Sequence, residues 1–405
     1  MGEYNDIQPA SIRSILTLRY DSTLQPLLPK LGWQDFVESP TTNKTEYVEG
    51  KIIQVLQDEI GTANRISISL SGGIDSTLML ALLRKSFPDI TIDAISIKFA
   101  ESIDESIQAK KIAEQFNANH KTVYIDNYLR ELPQAISIIG LPFWDLHWYH
   151  VAREAKSTSQ LLVSGDGGDE LFGGYTFRYQ KFLSLINENS SPKEKTIAYL
   201  KCHERDWVPD QEKLFGEKIP FSWEDIYYII LPYFENSLPP IAQVFLADYN
   251  GKLLYNWLPL NTKFHQYFGL KAVTPLLSKD IVSFATHIPY HLKYDKKENI
   301  GKLPLRQILS KYVKNSDIVT KKQGFSIDTV NLWKSHGQEI CNYYLSDGRI
   351  IREGLVNGDW IAKTLEKLKT EPDMRYVNKF LGLLSLEIWF RLFITKEMKP
   401  TQLLD

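Results

Sequence analysis

Only two of the 405 residues are cysteine, Cys202 and Cys341, and neither belongs to a Cys-x-x-Cys pair. That excludes a disulfide scaffold and argues against structural zinc. An excess of either charge is missing too: 47 Lys and Arg against 49 Asp and Glu leave a net charge of −2. No bulk basic footprint for nucleic acid exists, and short basic runs such as KYVK at 311–314 and TKK at 320–322 read as solvated surface. No apolar run reaches the ~18 residues of a membrane span. The opening MGEYNDIQPA lacks a basic-then-apolar signal pattern and the hydroxyl residue wanted for myristoylation. Internal repeats and low-complexity tracts are absent. With 43% hydrophobic and 24% charged residues, the expectation is a soluble, cytoplasmic protein of about two structural units, with no nucleic-acid or membrane partner.

What is present is an alternation. VEGKIIQVLQDEIG (48–61) reads as an amphipathic helix stopped by Gly61. RISISL (65–70) is a strand, STLMLALLRKSF (76–87) a helix ended before Pro88, and IDAISIKF (92–99) a strand. DESIQAKKIAEQFN (104–117) is a helix, KTVYI (121–125) a strand, 146–156 a helix and QLLVSG (160–165) a fourth strand. Such alternation predicts an α/β fold, a parallel sheet with flanking helices joined by right-handed crossovers. Ligands in such sheets bind where loops leave the carboxyl ends of the strands. From about 176 onward helical patterns dominate, at 192–204, 222–234, 302–314, 328–345 and 378–393. The domain reading is therefore 1–50 as an N-terminal segment, remnant or linker, 51–175 as the α/β core, and 176–405 as a largely helical region that completes the site.

Two glycine-rich stretches lie at strand ends. In LSGGIDST (70–77), Gly72 and Gly73 permit a sharp turn and close approach of the backbone to an anion. Free N–H groups there and at the following helix start make a partial positive site, to which Ser71, Ser76 and Thr77 add hydroxyls. Asp75 is the odd member, because a carboxylate beside phosphates is repulsive unless a divalent cation lies between them. The bland alternative is a plain strand–turn–helix with Asp75 or Ser76 as N-cap. The loop lacks the lysine of a Walker motif. In LLVSGDGGDELFGGY (161–175), five of the ten residues from 165 to 174 are glycine, interleaved with Asp166, Asp169 and Glu170. Such a string is not core, and a second carboxylate on a shared magnesium gives it a reason.

SGGIDS resembles the pyrophosphate loop of the N-type ATP pyrophosphatases. Followed by SGDGGDELFGGY, it resembles the synthetase domain of the asparagine synthetase family, which includes β-lactam synthetase and the lasso-peptide cyclases. SIDESIQAKKIAEQFNANH (102–120), PFWD (142–145), GKLPLRQIL (301–309) and KKQGFSI (321–327) extend the resemblance across about residues 50 to 395. It implies an adenine nucleotide alpha hydrolase-like fold and these roles. Ser71, Gly72, Gly73, Asp75 and Ser76 bind the pyrophosphate of ATP. Asp75 and Asp169 hold Mg2+. Leu70, Ile97, Ser164 and Gly165 line the nucleotide site. Asp166 stands near the reacting carboxylate, and Lys322 steadies charge on the phosphate and acyl-adenylate.

The implied chemistry is adenylation of a small-molecule carboxylate with release of pyrophosphate, then displacement of AMP by ammonia or another amine. Glutamine-dependent members carry an N-terminal glutaminase whose nucleophile is the cysteine after Met1. Here Gly2 follows Met1 and no cysteine precedes Cys202, so the expectation is an enzyme without glutaminase activity, using free ammonia, ammonia from a separate glutaminase subunit, or another amine. A second departure lies in TKFHQYFGLKAVTPLLSKD (262–280). The family's D-R-x-S-M-A-x-x-x-E-x-R-x-P-F-L-D pattern meets Thr262, Lys271, Val273 and Ser278 at four of its charged positions, which puts aspartate as the substrate in doubt. The alternatives are asparagine formation, an amide ligase or cyclase on another carboxylate or amine, a tRNA-modifying enzyme of the same loop type, and a non-catalytic nucleotide-binding subunit.

Overall fold

A computed structural model describes residues 8–39, 45–314 and 327–405. The chain opens with α1 (Pro9–Leu18) and α2 (Thr45–Ile60). The alternation then runs β1 (Arg65–Ser69), α3 (Ile74–Ser86), β2 (Thr91–Phe99), α4 (Ser106–Gln115), β3 (Asn119–Ile125), α5 (Leu132–Ile139), α6 (His147–Lys156) and β4 (Leu161–Val163). The second glycine-rich stretch becomes the short helix α7 (Gly168–Phe172) and leads into α8 (Thr176–Leu185), α9 (Pro192–Cys202) and α10 (Trp223–Ile230). Next, α11 (Pro240–Asp248) passes through a π-helical segment, Tyr249–Trp257, directly into α12 (Leu258–Phe268). β5 (Lys271–Val273), α13 (Lys279–His287) and α14 (Leu303–Leu309) follow. The long helix Met374–Phe393 lies near the carboxyl end.

The five strands are all parallel, in the order β3-β2-β1-β4-β5. The chain winds outward from β1 to β3 and then returns to lay β4 on the other side of β1. The loops that leave β1 and β4 therefore part at the reversal of strand order, the crevice where ligands of open α/β sheets bind. β1 is buried except at Arg65, as a central parallel strand covered by helices on both faces must be. Apolar side chains divide between two cores. Ile66, Ile68 and Ile92 pack with α2 and α3, whereas Ile95, Ile97 and Leu162 pack with α5, α6 and the helix Met374–Phe393.

Several elements were not read from sequence, among them α1, α8, α11, α12 and α13, and two more border the sheet. Helix α5, LPQAISII, starts with proline in its first turn and ends on left-handed Gly140. β5 is three residues long and becomes a strand only through pairing with Leu161, Leu162 and Val163. It falls inside 262–280, so part of that region is scaffold. Lys271 at its start pairs with Glu59 at 2.7 Å, half exposed, at the end of the strand remote from the loops. Val273 offers its carbonyl to the Ser164 N–H at 3.1 Å and so steadies the start of the second loop.

The segment 8–39, read as a remnant or linker, is packed. α1 buries Ile12, Ile15, Leu16 and Leu18. Arg19 closes it in the left-handed region, at φ 61°, and Tyr20 stacks on Tyr255 with ring centroids 6.1 Å apart.

Candidate active site

The first loop is held by its own hydroxyls. Ser71 Oγ and Ser76 Oγ lie 3.2 Å apart, Ser76 Oγ accepts from the Ser71 N–H at 3.2 Å, and Gly73 N–H donates to Ser71 Oγ at 3.3 Å. Gly72 takes φ +76°, a conformation that strains residues with a Cβ. Leu70, fully buried, donates its N–H to the Ile95 carbonyl at 2.9 Å, so the loop starts from a fixed point between β1 and β2. Helix α3 then begins at Ile74, with Asp75 in its first turn. An acidic residue there is favoured by the helix dipole.

The second loop lies directly on the first. A Cβ at Gly165 would come within 2.7 Å of Asp75 Cβ, and one at Gly168 would enter the Asp75 carboxylate. Glycine at these two places is therefore a matter of close approach. Lys302 provides the remaining link. Its Nζ pairs with Asp75 Oδ2 and with Asp169 Oδ1 at 2.7 Å, so the two carboxylates assigned to magnesium meet at one ammonium. Burial alone would depress the Lys302 ammonium, but Asp169 and Asp75 hold it above its ordinary value. Its backbone fixes the placement: φ is 59°, and its N–H donates to the Phe172 carbonyl at 2.8 Å. Lys302 stands in the quoted GKLPLRQIL, yet sequence reasoning gave it no role. Its only local signal is a lysine between Gly301 and the apolar start of α14.

Asp166 faces a different set of groups. Its Oδ1 accepts from Trp257 Nε1 at 3.1 Å, and Oδ2 accepts from Ser164 Oγ at 2.9 Å and Asn261 Nδ2 at 3.2 Å. Burial pushes the Asp166 carboxyl up from its ordinary value, and the three donors offset this only in part. The His147 ring lies 4.9 Å from that of Trp257, and burial pushes its imidazole down to about 4. Trp257 and Asn261 were missed from sequence, since nothing in NWLPLN marks two donors for a carboxylate 91 and 95 residues upstream. Of the remaining expected residues, Ile97 is buried in β2. Ser164 and Gly165 leave β4, and Lys322 lies outside the described residues.

Glu170 accepts from the Tyr175 hydroxyl at 2.5 Å. Arg178 lies over the Tyr175 ring at 3.4 Å and pairs with Asp248 at 3.1 Å. This chain of contacts carries charge from the second loop into the helical region.

Among the described residues no cluster of three or more His, Cys, Asp or Glu side chains is arranged to hold a metal by itself. Two converging carboxylates are nevertheless the donor set Mg2+ takes when substrate phosphates supply the rest. Among the described residues, no helix is long and apolar enough to cross a membrane.

Comparison with known proteins fits this arrangement. The family model for asparagine synthase matches residues 56–391. A putative glutamine-hydrolyzing asparagine synthetase of Mycobacterium tuberculosis H37Rv is 23% identical over 415 aligned positions, covering 93% of this chain and 63% of that protein. Asparagine synthetase [glutamine-hydrolyzing] 1 of Bacillus subtilis is 22% identical, covering 88% of this chain and 62% of its own length. The chain thus spans under two thirds of the length of these curated relatives. Among solved structures, the U34-tRNA thiolase NcsA of Methanococcus maripaludis is 16% identical with a TM-score of 0.29, covering 88% of this chain and 84% of that one. A likeness of that degree carries no functional weight. Matched through both glycine-rich loops and most of the helical region, the chain belongs to the asparagine synthase family.

Proposed function

We propose that this protein is an ATP-dependent amide-forming ligase that activates a small-molecule carboxylate as its adenylate. Family membership supports this, and the observation that carries it is the meeting of Asp75 and Asp169 at Lys302, in the crevice between β1 and β4. A carboxylate oxygen attacks the α-phosphorus of ATP, the bond to the bridging oxygen breaks, and pyrophosphate leaves. An amine nitrogen then attacks the acyl carbon, the bond to AMP breaks, and one proton is given up. Ser71, Gly72, Gly73 and Ser76 bind the departing pyrophosphate, and Leu70, Ile97, Ser164 and Gly165 border the nucleotide. Mg2+, held by Asp75 and Asp169, supplies neutralisation of phosphate charge.

Lys302 adds fixed positive charge beside the same phosphates, an arrangement that needs no reorganisation during reaction. Lys322 is assigned the phosphate and acyl-adenylate by the family pattern. Asp166, with its carboxyl raised by burial, accepts the proton released by the amine. The amine is ammonia, free or delivered by a separate glutaminase, or an amine on a second substrate.

The test is incubation with ATP, Mg2+ and a panel of carboxylates, each with ammonia or a candidate amine, with AMP, ADP and pyrophosphate measured. AMP and pyrophosphate in equal amounts are expected with one panel member. ADP in place of AMP would overturn the mechanism, and turnover with aspartate plus ammonia would select asparagine formation.

A further inference from the structure

The segment that precedes the family match grips one short stretch of chain at four positions, 250, 251, 255 and 256. That stretch is the π-helical segment Tyr249–Trp257. Leu31 and Asn250 exchange two hydrogen bonds, from Leu31 N–H to Asn250 Oδ1 at 3.0 Å and from Asn250 Nδ2 to the Leu31 carbonyl at 2.9 Å. A Cβ on Gly251 would meet the Tyr20 ring at 3.5 Å. Tyr20 stacks on Tyr255, and Asn256 Nδ2 donates to the Arg19 carbonyl at 2.5 Å. The gripped segment is itself irregular. Gly251 has φ −99° and ψ −111°, outside helical values, and Pro259 removes a helical N–H just beyond it. Irregular backbone of this kind persists only where its surroundings over-determine it, and π-helical turns recur at functional sites.

Two side chains of this segment reach polar groups of interest. Trp257 donates to Asp166, and Lys252 pairs with Asp206 at 2.5 Å. Arg19 ties the same elements together from the other side. Its guanidinium pairs with Asp145 at 2.7 Å and Asp206 at 3.6 Å and lies 4.6 Å from the Trp144 ring. Asp145 stands two residues before His147, whose ring packs on Trp257. Arg19 thus holds both supports of the Trp257 indole, the π-helical segment through Asn256 and Asp206, and the start of α6 through Asp145. Its left-handed backbone, φ 61°, turns the chain at the end of α1 and is a strained placement for a residue with a Cβ. With Arg19 four-fifths buried and Asp206 only 5% exposed, loss of the guanidinium would take the cation from Asp145 and leave Asp206 to Lys252 on the π-helical segment, unbalancing a buried ion network.

We infer that Arg19 is a positioning residue of the active site, fixing the π-helical segment so that Trp257 and Asn261 present their N–H groups to Asp166. The inference rests on the proposed role of Asp166 for its catalytic consequence, but not for its structural one. Two readouts therefore keep the two apart. Hydrogen–deuterium exchange of peptides spanning 249–257, on the full chain without substrate, reads the coupling alone. Steady-state pyrophosphate release and amide formation read its consequence.

Arg19→Ala should speed exchange in 249–257 by about tenfold or more, as expected when one member of a buried ion network is removed. It should also lower kcat for amide formation more than it raises KM, and guanidinium ion added to the buffer should restore part of both. Arg19→Lys, which keeps the charge but not the fork, should fall between wild type and Arg19→Ala. Arg13→Ala is the control on the same helix. Arg13 pairs with Asp225 and the Pro220 carbonyl, so loosening α1 there should leave 249–257 unchanged. Unchanged exchange in Arg19→Ala, or an equal rise in Arg13→Ala, would overturn the inference. Faster exchange with unaltered kcat would retain the coupling to 249–257 but overturn Arg19 as a positioning residue of the active site, leaving the role of Asp166 to Asp166→Asn.

Discussion

Lys302→Met is the most informative single perturbation, because it removes one charge and little volume from the point where the two loops meet. Lys302 is 9% exposed at its side chain and Asp75 and Asp169 are each 18% exposed. Ion pairs this close in a poorly hydrated setting are worth several kcal/mol before desolvation is counted. Breaking such a group from one side costs about 3–5 kcal/mol, since the partners stay buried and uncompensated. At roughly 2.1 cal/mol/K of unfolding entropy per residue, that is a drop in Tm of about 4–6 °C for a chain of this length. The raised Lys302 ammonium stabilises the fold at every pH below the unfolded value of about 10.4, and that contribution is lost only as pH rises through the higher folded value. The deficit of Lys302→Met should therefore be constant across neutral pH and shrink in strong alkali. Mg2+ should raise the Tm of the variant more than that of wild type, because two carboxylates have lost their resident cation. Differential scanning calorimetry with and without Mg2+ reads both effects. A Tm within about 1 °C of wild type would refute the claim that Lys302 holds the two loops together.

Three further outcomes are expected. Gly168→Ala should cost about 1–3 kcal/mol through overpacking against the Asp75 carboxylate and should abolish ATP binding, measured by calorimetric titration; retained binding would mean the loops can separate without loss. Asp166→Asn should leave pyrophosphate release in place while slowing amide formation by about a hundredfold, and normal rates for both steps would remove Asp166 from proton transfer. His147 and His265, depressed by burial to about 4 each, and His150, depressed to about 3, favour the folded state above the unfolded value of about 6.5, and this contribution is lost as pH falls toward the folded values. Tm should therefore decline between about pH 6.5 and about pH 4, and His265→Gln should flatten the decline.

The fold was legible where a strand or helix carries its own signal. β1 and β2 were read within one residue of their observed limits because short Ile-rich runs bounded by polar turns have few other uses. α3 was read with its end at Pro88. β4 was read as six residues and is three, because its ladder with β5 takes in only Leu161–Val163 and its ladder with β1 only Leu162 and Val163. β5 was not read at all, since KAV has no intrinsic claim to be a strand and acquires one from its neighbour.

The two glycine-rich loops announced a site, but their residues divided once folded. Ser71 and Ser76 bond to each other, Asp75 and Asp169 converge, and Asp166 turns to Trp257 and Asn261. The cation of the first cluster, the indole that faces Asp166, and the arginine that supports it come from residues 302, 257 and 19. Nothing local distinguishes these three from ordinary core or surface positions.

Composition and periodicity alone determined that the chain would form a parallel α/β sheet with two anion-suited loops at strand ends, because hydrophobic period and glycine placement act over a few residues. Tertiary structure alone decided which strand lies beside β1. That choice sets the two loops face to face, brings Lys302 between their carboxylates, and makes the N-terminal segment a support for the π-helical turn. These are contacts across 90 to more than 200 residues, and they depend on packing of the whole molecule, which no local pattern encodes.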